Sequence, residues 1–193
     1  MYRFLGAAVA VLVLGVAAVP ATADQEGGFN HRGNILIADQ FNNRVVEING
    51  HHQILWSFGN GSIVAGPHSV VAPNDVERVG NLTLIAGTGA PPAPSATEPG
   101  CEKSGCADNR VFFVNEDGKI VWQYGEAGVT GSGPNQLNTP VFAAALPDYH
   151  VLITDQGNSR VIEVNRAKQI VFQYGTTGVS GKGPEQLNNP NSA

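Results

Sequence analysis

Asp155-Gln156-Gly157-Asn158-Ser159-Arg160-Val161-Ile162-Glu163-Val164 repeats the pattern of Asp39-Gln40-Phe41-Asn42-Asn43-Arg44-Val45-Val46-Glu47-Ile48. A reduced third copy runs Asp108-Asn109-Arg110-Val111-Phe112-Phe113-Val114. Twelve residues after each arginine stands an aromatic, Trp56, Trp122 or Phe172. Two further on stands another (Phe58, Tyr124, Tyr174), followed each time by Gly59, Gly125 or Gly175. From Arg110 to Arg160 the period is 50 residues. A fixed period of this length points to a repeat architecture before any single residue is interpreted.

Each unit reads as short strands. In the last they are expected at Val141 to Leu146, His150 to Thr154, Arg160 to Val164 and Ile170 to Tyr174, all rich in Val, Ile, Phe and Tyr and bounded by Pro, Asp, Asn or Gly. No stretch beyond the N-terminus keeps a 3.6-residue apolar period, which excludes helix. Val111-Phe112-Phe113-Val114 and Val151-Leu152-Ile153 are apolar without alternation, as suits a sheet covered on both faces by neighbouring sheets. Four strands per unit with such covering predict an all-β fold, a β-propeller. A β-sandwich would not account for three copies of one Asp…Arg…aromatic pattern. The expected organisation is a partial blade at 33–59, a blade at 67–125 carrying an insertion at 88–107, a blade at 140–175, and the start of another at 188–193. The first unit lacks a convincing innermost strand. About three blades fall short of the four to eight of a closed ring, so an open or partial propeller is expected, either a piece of a longer chain or one that closes by self-association.

Gly33-Asn34-Ile35-Leu36-Ile37-Ala38-Asp39-Gln40-Phe41-Asn42-Asn43-Arg44-Val45 and its counterpart at 150–161 resemble the NHL repeat. The resemblance extends over Gly33 to Pro190 and is weakest in the second unit, where Gly87 stands in place of the aspartate. Bacterial propellers described as quinone-binding-like share the blade-ending aromatic and Tyr-Gly. The resemblance implies fold; it does not imply quinone binding. Propellers of this kind include protein- and ligand-binding scaffolds. They also include lyases, lactonases and sulfotransferases that gather His, Arg, Asp or Glu, often with a metal, around a central channel.

Residues 1–23 read as a signal peptide: Arg3, an apolar run from Leu5 to Val19, and the small-x-small site Ala21-Thr22-Ala23. That run is short for a membrane span, so a secreted or periplasmic location is expected, with no membrane association after cleavage. Arg3 is the one charged residue in the leader, and its loss takes the net charge from −5 to −6. Such a balance argues against a nucleic-acid partner, which calls for clustered Lys and Arg. Cys101 and Cys106 are most simply a disulfide in an exported protein; metal binding by a lone thiol pair is the competing reading.

The repeated Asp39, Asn42 and Arg44, Asp108 and Arg110, and Asp155, Asn158 and Arg160 are read as structural, a carboxylate holding a turn and pairing with an arginine. A catalytic centre is normally made once. Gly125 to Pro140 matches Gly175 to Pro190 at 10 of 16 positions. No helix follows either stretch, so an anion-binding reading gives way to that of a blade-to-blade linker. The insertion with Pro91-Pro92-Ala93-Pro94 and the two cysteines is either a tolerated surface loop or a binding element. Strand parity puts it on one rim with the linkers. His68, expected on an innermost strand near that rim, is the only, weak, catalytic candidate. His51-His52 falls on the opposite rim, and no metal or cofactor site is indicated. The favoured reading is a binding scaffold for a protein or small molecule, with a fragment of a propeller enzyme as the alternative.

Overall fold

The computed structural model describes residues 28–92 and 99–193; the expected leader at 1–23 lies outside them. Eleven strands form three antiparallel sheets in chain order. The first holds β1 (Ile35–Asp39), β2 (Arg44–Ile48) and β3 (Ile54–Phe58). The second holds β4 (Pro73–Val79), β5 (Leu82–Ala90), β6 (Cys106–Asn115) and β7 (Ile120–Tyr124). The third holds β8 (Pro140–Ala145), β9 (Val151–Asp155), β10 (Arg160–Val164) and β11 (Ile170–Tyr174). Strands within a sheet pair only with their neighbours in sequence. Each sheet is therefore an up-and-down blade, and the first has no innermost strand among the described residues. The architecture is all-β, a partial propeller.

Two cores lie between the blades. Val45, Trp56 and Phe58 of the first meet Ile85, Phe112 and Val114 of the second. Leu84, Val111, Phe113 and Tyr124 of the second meet Val151, Ile153, Ile162 and Val164 of the third. Alternate residues of β5 and β6 thus feed opposite cores, which is why Val111 to Val114 are apolar without a break. The blades come closest at their inner edges. There Asp75 Oδ2 accepts from Ala143 N at 3.0 Å and Glu77 Oε2 accepts from Ala145 N at 2.8 Å. At the outer edge the indole Nε1 of Trp56 donates to Glu116 O at 2.9 Å, and that of Trp122 to Arg166 O at 3.1 Å, each crossing to the next blade.

Glycine is required where each outermost strand ends. Gly59, Gly125 and Gly175 have φ of +99°, +93° and +98°. A Cβ on any of them would overlap the carbonyl oxygen of Asn43, Asn109 or Ser159, the residue just before the repeat arginine. The second blade begins later than expected, at Pro73 rather than at residue 67. Pro73 and Pro140 open equivalent strands, pairing with Gly87 and Asp155. The stretch before Pro73 is instead folded into a turn closed by the Gly66–Ser69 bridge.

Gly125→Ala is expected to lower the unfolding free energy by at least about 2 kcal/mol, from the strained φ and the backbone overlap together. Gly118→Ala, at positive φ but with open space around it, should cost about 1 kcal/mol. Urea unfolding of the two variants side by side checks the difference.

Candidate functional site

The repeat residues lie together on one rim of each blade, at the turn from β1 to β2, near the start of β6, and at the turn from β9 to β10. In the first blade Arg44 Nε donates to Asp39 Oδ2 at 2.7 Å and Asn42 Nδ2 to Asp39 Oδ1 at 2.8 Å. In the third, Arg160 Nε and Asn158 Nδ2 donate to Asp155 Oδ2 at 2.8 and 2.7 Å. Asp155 Oδ1 also accepts from Asn138 N at 2.8 Å, in the linker that enters the blade.

The second blade reaches the same arrangement by another route. Asp108 stands where Asn42 and Asn158 stand, two residues before the arginine, and its carboxylate fills the space left by Gly87. A Cβ on Gly87 would come within 2.6 Å of Asp108 Cγ. Arg110 Nε donates to Asp108 Oδ1 at 2.6 Å and Nη2 to Oδ2 at 3.1 Å. Val71 N, the counterpart of Asn138 N, donates to Oδ2 at 2.7 Å. Arg110 spends its other donors on the carbonyls of Gly66 and Ser69, both at 2.9 Å.

Environment separates the three carboxyls. Burial pushes Asp108 and Asp155 up, against the hydrogen bonds that each receives. Burial also raises Asp39, but the hydrogen bonds from Arg44 and Asn42 outweigh it and hold the carboxyl below its ordinary value.

The residue after each aspartate position makes a clasp forward along the chain, to the next blade from the first and second and to Pro190 from the third. Gln40 Nε2 donates to Asn74 Oδ1 at 3.3 Å, Thr88 Oγ1 to Pro140 O at 2.6 Å, and Gln156 Nε2 to Pro190 O at 3.1 Å. These side chains also ring the mouth of an open cleft of about 440 Å³. Its wall is completed by Asn74 and Val141 of the inner strands, Thr130 and Thr139 of a linker, and Pro91, Pro92 and Ser104 of the insertion. Among the described residues no charged side chain lines it. Sequence reasoning missed the clasp because Gln, Thr and Gln share no motif; their common position, one step past Asp39, Gly87 and Asp155, was the available signal.

The insertion extends a hairpin. Gly89 pairs with Ala107 and Ala90 with Cys106, and Cys101 and Cys106 are joined by a disulfide. Cys101 is buried with Ala90, Val71 and Ala72, and Ile63 and Ala65 of the preceding linker pack on them. The base of the insertion is thus docked on the rim. Ala93 and Pro94 lie outside the described residues.

His68 does not stand where it was expected. The turn that supplies carbonyls to Arg110 holds it exposed, away from any innermost strand and outside the cleft. His51 and His52 sit exposed in the turn between β2 and β3. Among the described residues no three His, Cys, Asp or Glu converge as metal ligands. The linker glycines house a side chain: Gly133 N and Gly183 N donate to Gln136 Oε1 and Gln186 Oε1 at 3.3 and 3.1 Å.

No protein-family model matches the chain, and no curated protein matches it. Among solved structures the chain is similar to a catalytically inactive virginiamycin B lyase from Staphylococcus aureus with quinupristin, at 15% identity and a TM-score of 0.44. The match covers 73% of this chain and 37% of that one, so the chain spans well under half the length of the lyase.

Gly87→Asp alone is expected to destabilise the protein, since two carboxylates would meet in one buried space. Adding Asp108→Asn recreates the pattern of the other blades and should restore most of the loss, a coupling that a double-mutant cycle in urea measures. Arg110→Ala, which strands a buried carboxylate, should cost about 3–5 kcal/mol. Arg44→Ala, at a half-exposed pair, should cost under about 1 kcal/mol.

Proposed function

We propose that the protein is an exported binding module of NHL-like propeller blades that holds an uncharged, hydroxyl-rich ligand, a neutral saccharide, in the cleft at the blade rim. The observation that carries this reading is the lining: carboxamides and hydroxyls from all three blades, two prolines and, among the described residues, no titratable group. Gln40, Asn74, Asn109 and Gln156 bring both donors and acceptors, the pairing that a sugar hydroxyl asks for. Pro91 and Pro92 add a rigid apolar surface for the C–H face of a ring. Catalysis by proton transfer needs a group of suitable pKa within hydrogen-bond reach of the substrate, and the cleft offers none among the described residues. This supports binding over the lyase, lactonase or sulfotransferase alternative. The disulfide and the apolar, cleavable-looking N-terminus support export.

Screening against neutral and charged oligosaccharides, followed by calorimetry, tests the reading. A neutral sugar should bind, and Gln40→Ala and Gln156→Ala should each weaken it by about tenfold, the scale of one or two lost hydrogen bonds. Raising ionic strength from about 0.01 to about 1 M should leave the affinity within about twofold, because the described lining brings no charge to the ligand. Binding confined to anionic ligands, or collapsing with salt, would overturn it.

A further inference from the structure

The two halves of the disulfide stand in different surroundings. Cys101 is 1% exposed, in a cluster with Val71, Ala72 and Ala90. Cys106 is half-buried and lines the cleft. It is also the first residue of β6, opposite Ala90 in the last rung that joins β5 to β6. The bond therefore runs from the cleft wall into the apolar base of the insertion.

The same bond sets the shape of the wall. Pro91 and Pro92 follow directly on that rung, and Gly105 is pressed against them: a Cβ there would meet Ala90 O at 2.6 Å and Pro92 Cδ at 3.0 Å. Gly105 N donates to Cys101 O at 2.8 Å, which leaves one hydrogen bond within this turn to hold Cys101 once the disulfide is gone. Beneath it, Val71 O accepts from Gly89 N at 2.9 Å, and Val71 N donates to the buried Asp108. Cys101 is thus docked between the cleft wall and the anchor of the second blade.

We infer that Cys101–Cys106 is a thiol-operated latch on the cleft wall, opened from the cleft side and opposed by a bound saccharide; the second half rests on the reading of the cleft given above. A thiolate entering the cleft attacks Cys106 Sγ. A new S–S bond forms there, the Cys101–Cys106 bond breaks, and its electron pair leaves on Cys101. The second thiol of a dithiol reductant then closes the reductant's own disulfide and releases Cys106, so the reductant gives up two electrons and its two protons end on the two cysteines. A thiolate is disfavoured among apolar side chains, so Cys101 leaves its cluster as it forms, and Pro91 and Pro92 lose their support. A ligand that needs the closed wall opposes reduction, and reduction weakens that ligand by the same factor.

The chain has two cysteines, so a thiol reagent finds no other target in it. Glutathione, with an alkylating agent in excess, traps the first step. Peptide mass analysis should place glutathione on Cys106 and the alkyl group on Cys101, in at least about tenfold excess over the reverse, because access decides which sulfur is attacked. After dithiothreitol, hydrogen exchange at Gly89 and Gly105 should quicken by about tenfold or more, while residues 111–114 of β6 keep their protection. A neutral oligosaccharide at saturation should slow reduction, and its affinity for the reduced protein should be at least about fivefold weaker. Glutathione on Cys101, unchanged exchange at Gly89 and Gly105, or a bound sugar indifferent to the state of the disulfide sinks the inference. If no sugar binds, the reading of the cleft fails, and the adduct and the exchange still decide whether the latch exists.

Discussion

One repeat carboxylate per blade, paired with an arginine and buried in the second and third blades, carries the connection between local turn and long-range order. It accepts from the arginine of its own blade and, in the second and third blades, from a linker N–H at Val71 or Asn138. The residue just before the arginine extends the chain of contacts forward: Asn43 Oδ1 accepts from Ala72 N and Asn109 Oδ1 from Thr139 N, both in the linker to the next blade. Isolated ion pairs contribute little at a surface, and burying one is often no gain over apolar packing. What this pair secures is geometry. It fixes the rim end of one sheet against the chain entering it, so that the apolar faces behind it meet in register.

Stability in such an arrangement is distributed between neighbours. The second blade is covered on both flanks, and its strands supply residues to both cores. Among the described residues the first and third blades each have one covered flank. Asp39 accepts no linker N–H among the described residues, and with Arg44 it remains half-exposed. The difference between equivalent pairs is therefore one of context, since the residues themselves are identical.

Much of this was legible in the sequence because turn residues punctuate β-branched and aromatic runs at a constant period. The strand content and the all-β fold follow from that punctuation. The start of the second blade does not, because Pro67 and Pro73 look alike in sequence. What distinguishes Pro73 is the left-handed residue before it, and that position is Ala, Thr or Asn in the three linkers. Distance would have served better: Pro73 follows Gly59 by fourteen residues, and Pro140 and Pro190 follow Gly125 and Gly175 by fifteen. Placing His68 on an inner strand followed from the same misplaced proline. The cleft was invisible because its lining residues come from separate blades and share no spacing along the chain.

The relocation of the carboxylate from position 87 to Asp108 bears on how the second blade came to tolerate a long insertion. In the first and third blades the aspartate and the arginine sit on opposite sides of the turn, so their pairing requires the two strands to stay aligned across it. In the second blade both groups belong to β6, two residues apart. The ion pair is then indifferent to whatever chain separates β5 from β6. A turn released in this way can lengthen, acquire a disulfide and change its sequence without disturbing the anchor, which makes it the one place on the rim where new surface can be tried at little cost to the fold.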